Sequence, residues 1–466
     1  MRFLNRHEEL SAIRQRIDSG QAELLVVYGR RRIGKTELLT HLAAGLRSVY
    51  YEATDTVAAD QLHDFTAQLA QVSVSELLYR QSLTSWEAAL AAIADFVGTQ
   101  RTLVVLDEFQ YLAARSPELV TVLSRWWRTT GRHLPLVLVL AGSELSFFES
   151  EVLAGSLYGR RTGQLKIEPL TARQAALFHP SYTSEDRVRT YAVCGGVPYY
   201  LERFGDDRPL AEHLLHEVFL RTGRLHDEAE LMLRQSVADP ANHIAVLRAI
   251  AHGQNRNATI SDRTQLAPAH VAKTLDVLER LKLVERLRPI TASVRAKKTA
   301  YAISDQFLRF NYRFVEPARS QLRTQALAEA YLDARVIPEL DHHTSLAWED
   351  IAREYVLTTM QDVSRVGLWW GQVPTGDARR TEQREVDVAG VDAHGTLIVA
   401  GMCKWTNAPV DFDELNLLDR LIPHIDARAQ PARYLFSRAG FAARLVDHAA
   451  TNPRLHLVTP ADIYAD

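Results

Sequence analysis

The sequence predicts a multidomain α/β protein with a mostly parallel sheet in its first third. Two observations carry that prediction. Short runs of buried-strand character, ELLVVYG, SVYYEA, TLVVLDEF, PLVLVLAGS and QLKIEPL, alternate with helical patterns such as SWEAALAAIADFVG. Strands that read as nearly continuous apolar runs need helices on both faces, which is the situation of a parallel sheet. The second observation is that the pattern then changes three times. Strands stop after about Leu170, a basic helical segment follows Pro240, and an α/β pattern returns at Leu346.

Composition bounds the rest. A chain of 466 residues accommodates roughly two to four domains. Hydrophobic residues make up 47% and charged residues 24%, which is the make-up of a soluble globular protein. The start, MRFLNRHEEL, has no apolar signal core, and the run LPLVLVLAG is too short to span a bilayer. Two cysteines, Cys194 and Cys403, exclude a Cys-rich zinc site and argue against a disulfide scaffold. The expectation is a cytoplasmic protein with no membrane partner.

Taken in order, residues 1–170 are expected to form the parallel-sheet core and 171–238 an all-helical segment. In residues 239–316, HIAVLRAIAHG and APAHVAKTLDVLERLKL read as helices, and VERLRPI with TAYAIS reads as a hairpin. That order fits a winged helix-turn-helix. Residues 317–345, with Pro317 and Pro338, read as a helical linker, and 346–466 as a second α/β domain.

GRRRIGKT, Gly29 to Thr36, fits the pattern G-x-x-x-x-G-K-[ST] between a predicted strand and a predicted helix. Gly29 and Gly34 let the backbone of Arg30, Arg31, Arg32 and Ile33 curl so that its N–H groups point at phosphate oxygens. Lys35 then reaches the β- and γ-phosphates of ATP, and Thr36 offers its hydroxyl to Mg²⁺. The strand TLVVLDEF ends in Asp107 and Glu108. Asp107 is placed to hold the Mg²⁺ shell, and Glu108 to orient or deprotonate the attacking water. Ser143, at the end of LVLVLAGS, is a candidate γ-phosphate sensor, with capping of the next helix as its alternative. Arg160 and Arg161 in SLYGRRT are either arginine-finger candidates or surface charge, and action in trans would require a homo-oligomer.

These motifs resemble those of the archaeal-type ATPases, a branch of the AAA+/STAND-like P-loop NTPases. FLNRHEEL is similar to that family's N-terminal motif beside the adenine. GRRRIGKT, LDEFQYL and LYGRRT are similar to its phosphate, metal and post-sensor motifs. CGGVPYYL, Cys194 to Leu201, resembles the glycine–proline motif of a helical lid, which would set Pro198 against the base. The resemblance implies the sheet order of glutamate-containing (ASCE-type) NTPases, a helical lid at 171–238, a winged helix, and a C-terminal domain like the PD-(D/E)XK, or restriction-endonuclease-like, nucleases. It implies ATP and ADP as ligands.

The net charge of −3 conceals an asymmetry: residues 241–300 carry eleven Lys or Arg against four Asp or Glu. Such a segment points to a polyanion, here DNA. The recognition helix would present His270 and Lys273, and Arg295, Lys297 and Lys298 in the wing would meet phosphates. A winged helix that serves as a lid or a protein-docking module is the alternative.

In the C-terminal domain, AWEDIAREYVL supplies Glu349, EVDVAGV supplies Glu385 and Asp387, and GMCKW supplies Lys404. This outlines a metal-dependent nuclease site in which Met402 stands where a second carboxylate is needed. A thioether does not replace a hard oxygen on Mg²⁺. Glu385, two residues from Asp387 on one strand, is expected on the same face and could replace the lost ligand. Three readings follow: an ATP-hydrolysing switch acting on DNA, a nucleotide-gated DNA-binding regulator with negligible turnover, and an ATP-regulated nuclease.

Overall fold

The computed structural model describes residues 4–237, 239–292, 299–374 and 380–465. The chain divides into two compact units, Met1–Pro169 with Val197–Tyr199, and Leu170–Gly196 with Tyr200–Asp466.

The first unit holds five parallel strands: β1 (Glu23–Tyr28), β2 (Ser48–Glu52), β3 (Thr102–Asp107), β4 (Leu136–Gly142) and β5 (Gly163–Lys166), in the order β2-β3-β4-β1-β5. All residues of β1, β3 and β4 are buried, which is why these runs read as continuously apolar. Alternate side chains feed two cores. Leu25 and Val27 pack with Leu10, Ile13 and Leu38 from helices α1 (His7–Asp18) and α2 (Lys35–Ala43). Leu24 and Val26 pack on the other face with Phe109 and Leu112 of α3 (Phe109–Arg115). The order separates β3 from β1 by one strand, so Asp107 and Glu108 lie one strand beyond the phosphate loop.

The second unit begins with helical segments that include α4 (Ser184–Cys194). Three helices follow, α5 (Ala241–Ala251), α6 (Asn257–Thr264) and α7 (Pro268–Arg280), then the antiparallel ribbon β6 (Val284–Leu287) and β7 (Ala300–Ile303). Helix α8 runs from Ile337 to Thr359. Position 345/346, where the sequence pattern changes, therefore falls inside one helix, and Pro338 sits in its first turn. Proline is tolerated there because the first N–H groups have no intrahelical partner.

A mixed sheet completes this unit. Its strands are β8 (Arg365–Pro374), β9 (Thr381–Val391), β10 (Leu397–Lys404), β11 (Ala432–Ser437) and β12 (Leu455–Val458), in the order β12-β11-β10-β9-β8. The pairs β8/β9 and β9/β10 are antiparallel, while β10/β11 and β11/β12 are parallel. Helix α8 packs on one face through Trp348, Ile351 and Val356. Helix α9 (Phe412–Ile425) packs on the other through Leu415, Leu418 and Leu421. Both cysteines are free. Among the described residues no helix is long and apolar enough to cross a membrane.

Candidate functional site

The loop between β1 and α2 is shaped by two glycines for different reasons. A side chain on Gly29 would begin 2.4 Å from the Ile167 carbonyl oxygen. Gly34 has φ of +86°, in the left-handed region that favours glycine. Arg32 also takes a positive φ, 68°, and its guanidinium lies 4.4 Å from the Tyr199 ring centre. The Lys35 ammonium donates to the Arg30 carbonyl at 2.9 Å and so spans the loop. Burial lowers the Lys35 pKa, opposed by the nearby charges of Glu108 and Asp107.

Asp107 is fully buried at the end of β3. One carboxylate oxygen accepts from Thr36 Oγ1 at 2.8 Å and from Tyr50 Oη at 2.6 Å. The other accepts from the Glu108 backbone N–H at 2.9 Å. Glu108 has φ of +50°, a conformation that costs a non-glycine residue roughly 1–2 kcal/mol. Its carboxylate accepts from Ser143 Oγ at 2.8 Å and from the Gln110 amide. The loop, the buried aspartate, the glutamate and the serine thus meet at one end of the sheet.

Negative charge is concentrated here. Burial, followed by Asp107, Glu108 and Glu37, pushes the Glu52 carboxyl above its usual range. Hard oxygen donors, the Thr36 hydroxyl and the Asp107 carboxylate, stand 2.8 Å apart beside that charge. This donor set fits Mg²⁺.

Three contributors escaped the sequence reading. Tyr50 anchors Asp107, and its hydroxyl is driven up by burial and by that carboxylate. Gln110 holds Glu108. Arg6, in the motif expected beside the adenine, holds the loop from behind. Its guanidinium donates to the carbonyls of Ile33 at 3.0 Å and Glu168 at 2.8 Å, and pairs with Glu9 at 2.7 Å. The one local signal was an arginine directly before a helix start that it does not cap.

Pro198 stands against the loop itself: its Cγ is 3.7 Å from where a Gly34 side chain would begin. Arg161 donates to the Leu153 carbonyl at 2.8 Å, on its own segment. Among the described residues no hydrogen bond joins the side chain of Arg160 or Arg161 to the phosphate loop. In the second unit, Gly196 is dictated by packing, since a side chain there would begin 1.8 Å from the Leu170 carbonyl oxygen.

The second unit brings part of the nuclease outline together. Glu349 on α8 lies beside Asp387 on β9, and burial and that neighbour push its carboxyl up to about 8. Burial raises the Asp387 carboxyl too, against a 2.7 Å hydrogen bond from the Cys403 N–H. Glu385 and Glu349 line one cavity of about 590 Å³, together with Glu285, Arg309 and Arg353. Among the described residues no group of three or more His, Cys, Asp or Glu side chains is placed to hold a metal ion.

Two expectations are corrected here. Met402 does not occupy a ligand position. It is 6% exposed and packs with Val386, Ala400 and Leu415 in the core under α9. Lys404, two residues on, faces the same way and pairs with Glu414 of α9 at 3.0 Å. The cause is a bulge in β9, where Asp387 and Val388 together oppose Leu368 of β8. Regular pairing of Val388 with Gly401 would put Asp387 and Met402 on one face. The extra residue turns Asp387 to the α8 face instead.

His270 and Lys273 are exposed on α7, and His270 Nε2 lies 3.2 Å from Asn242 Nδ2 of α5. Arg295, Lys297 and Lys298 lie outside the described residues.

Comparison with known proteins agrees with this geometry. Residues 3–204 match the model of an ATPase domain found predominantly in Archaea. Residues 311–416 match a family of archaeal and bacterial proteins of unknown function. The uncharacterized protein MJECL04 of Methanocaldococcus jannaschii is 29% identical over 377 residues, 79% of this chain and 82% of that one. The uncharacterized ATP-binding protein MJ0423 of the same organism is 46% identical over 37 residues, 8% of this chain and 63% of that one. Among solved structures, the Walker-type ATPase PABY2304 of Pyrococcus abyssi superposes with a TM-score of 0.51 at 17% identity, over 67% of this chain and 96% of that one. At that identity the likeness speaks for the fold. The first unit has the fold of a P-loop ATPase domain.

Proposed function

We propose that this chain is an ATP-hydrolysing switch that acts on DNA. The observation that carries the first part is the meeting of Thr36 and Asp107 at 2.8 Å below the phosphate loop, with Glu108 and Ser143 beside them. Sequence spacing alone does not force residues 71 positions apart into one site.

In this reading the loop N–H groups and Lys35 bind the phosphates of ATP. Thr36 and Asp107 would hold Mg²⁺, which when bound offsets the charge of the β- and γ-phosphates. Glu108 orients the attacking water and takes its proton. Ser143 and Gln110 both donate to that carboxylate, so protein groups set its direction.

For DNA, the support is the order of α5, α6 and α7 followed by the β6–β7 ribbon, the net positive charge of residues 241–300, and the exposure of His270 and Lys273. We read this as a winged helix with α7 as its recognition helix. The C-terminal sheet we read as a nuclease-like domain kept for binding or packing. The packing of Met402 under α9 and the ion pair of Lys404 with Glu414 favour that over a cutting site.

Phosphate release tests the central reading. Wild type should turn over ATP, Lys35→Ala should lose both binding and turnover, and Glu108→Gln should bind ATP but turn over at least about 100-fold more slowly. Equal, slow release from all three would leave a nucleotide-gated regulator as the better description. Binding of a fluorescent duplex should weaken steeply with salt, as phosphate contacts require, and should weaken in Lys273→Ala.

A further inference from the structure

We propose that Arg31, from within the phosphate loop, serves as the arginine finger of its own active site. The inference rests on the ATPase reading above and names the cation that reading lacks. Loose phosphoryl-transfer transition states spread charge over the γ-phosphoryl oxygens and the departing oxygen, and a guanidinium placed there accelerates the reaction by about 10³–10⁵.

The loop's arginines have different directions. Arg32 stacks on Tyr199. Arg31 reaches the far strand. Its Nε lies 3.4 Å from Ser143 Oγ, and an Nη donates to the Tyr111 hydroxyl. Ser143 Oγ in turn donates to the Glu108 carboxylate at 2.8 Å. The Arg31 guanidinium is therefore two hydrogen bonds from the group that handles the attacking water. Its charge is also close enough to Lys35 to oppose that ammonium. A group flanked by Lys35 on one side and by Ser143 and Glu108 on the other stands where the terminal phosphate must go.

The planar fork has five donors in fixed geometry. Tyr111 and Ser143 hold it in reach, and γ-phosphoryl oxygens would take over those donors. In the reaction, the water oxygen forms a bond to the γ-phosphorus as its proton passes to Glu108. The bond from that phosphorus to the β–γ bridging oxygen breaks, and ADP leaves with the electron pair. Arg31 meets the negative charge as it builds on the transferring oxygens. Arg161 donates to the Leu153 carbonyl on its own segment.

The test uses the full chain. Steady-state ATP turnover is measured over a hundredfold range of protein concentration for wild type, Arg31→Gln, Arg31→Lys and Lys35→Ala. Affinity for ADP, and for ADP with tetrafluoroaluminate and Mg²⁺, is measured by calorimetry. The expected result is turnover per chain that does not depend on concentration. Arg31→Gln should fall about 10³-fold while binding ADP within threefold of wild type, and should lose the preference for the fluoroaluminate complex. Lysine should restore little, because a point charge does not reproduce the fork. The proposal is overturned if Arg31→Gln turns over within threefold of wild type, or weakens ADP and the fluoroaluminate complex alike. It is equally overturned if turnover rises with concentration and is lost in Arg160→Ala or Arg161→Ala. Should wild type bind ADP yet neither hydrolyse ATP nor prefer the fluoroaluminate complex, the ATPase reading itself has failed.

Discussion

Arg6 offers a demanding test of how the phosphate loop is held. Its side chain is almost wholly buried and donates to two backbone carbonyls, Ile33 in the loop and Glu168 after β5. Hydrogen bonds from a charged donor contribute about 1.5–3 kcal/mol each. Arg6→Ala removes both and leaves two carbonyls to find water in a tight space. Partial hydration recovers some of the loss, so about 3 kcal/mol is expected. At about 1.4 kcal/mol per tenfold, that is roughly 100-fold in the equilibrium between ordered and disordered loop. Binding that needs the ordered loop weakens by up to that factor. The assay is titration of a fluorescent ATP analogue alongside amide hydrogen exchange at residues 29–36. Arg6→Lys keeps the charge but cannot span both carbonyls, and should recover less than half of the lost free energy. Affinity within twofold of wild type, with unchanged exchange in the loop, would refute the argument.

The other predictions concern single side chains. Tyr50→Phe removes one hydrogen bond to Asp107, worth about 1 kcal/mol, and should raise the Mg²⁺ concentration needed for half-maximal nucleotide binding about fivefold; an unshifted Mg²⁺ titration would count against it. Met402→Glu should create no plasmid cleavage in Mg²⁺ or Mn²⁺, and should instead destabilise the second unit by about 3 kcal/mol, since it trades a packed thioether for a carboxylate in an apolar core. Gain of cutting would show that the α9 face is the wrong assignment for that residue. Glu349 holds its proton more tightly when folded, with a pKa of about 8 against a usual 4.5. Its contribution to stability is therefore complete below about pH 4.5 and lost as pH rises through about 8. Urea midpoints for the second unit should fall across that window in wild type and fall less in Glu349→Gln. Parallel pH curves for the two would exclude Glu349 as the source.

The sequence by itself determined what short spacing and periodicity can encode. The strand–glycine–helix frame of Gly29–Thr36 is local, so its conformation and ligand class could be read directly. The burial of β1, β3 and β4 followed from their unbroken apolar runs, and the carboxylates of Asp107 and Glu108 from their place at a strand end. Tertiary structure alone decided what depends on partners far along the chain. Arg6 meets Ile33 and Glu168 across 27 and 162 positions, and Arg31 meets Ser143 across 112. No pattern of neighbours announces such contacts, because they exist only once the sheet order brings the strand ends together. That Asp387 faces away from Met402 and Lys404 was likewise out of reach of a period-two reading. A strand alternates faithfully until a bulge shifts it, and the bulge at Asp387–Val388 appears in the pairing with β8, not in the residues of β9 alone.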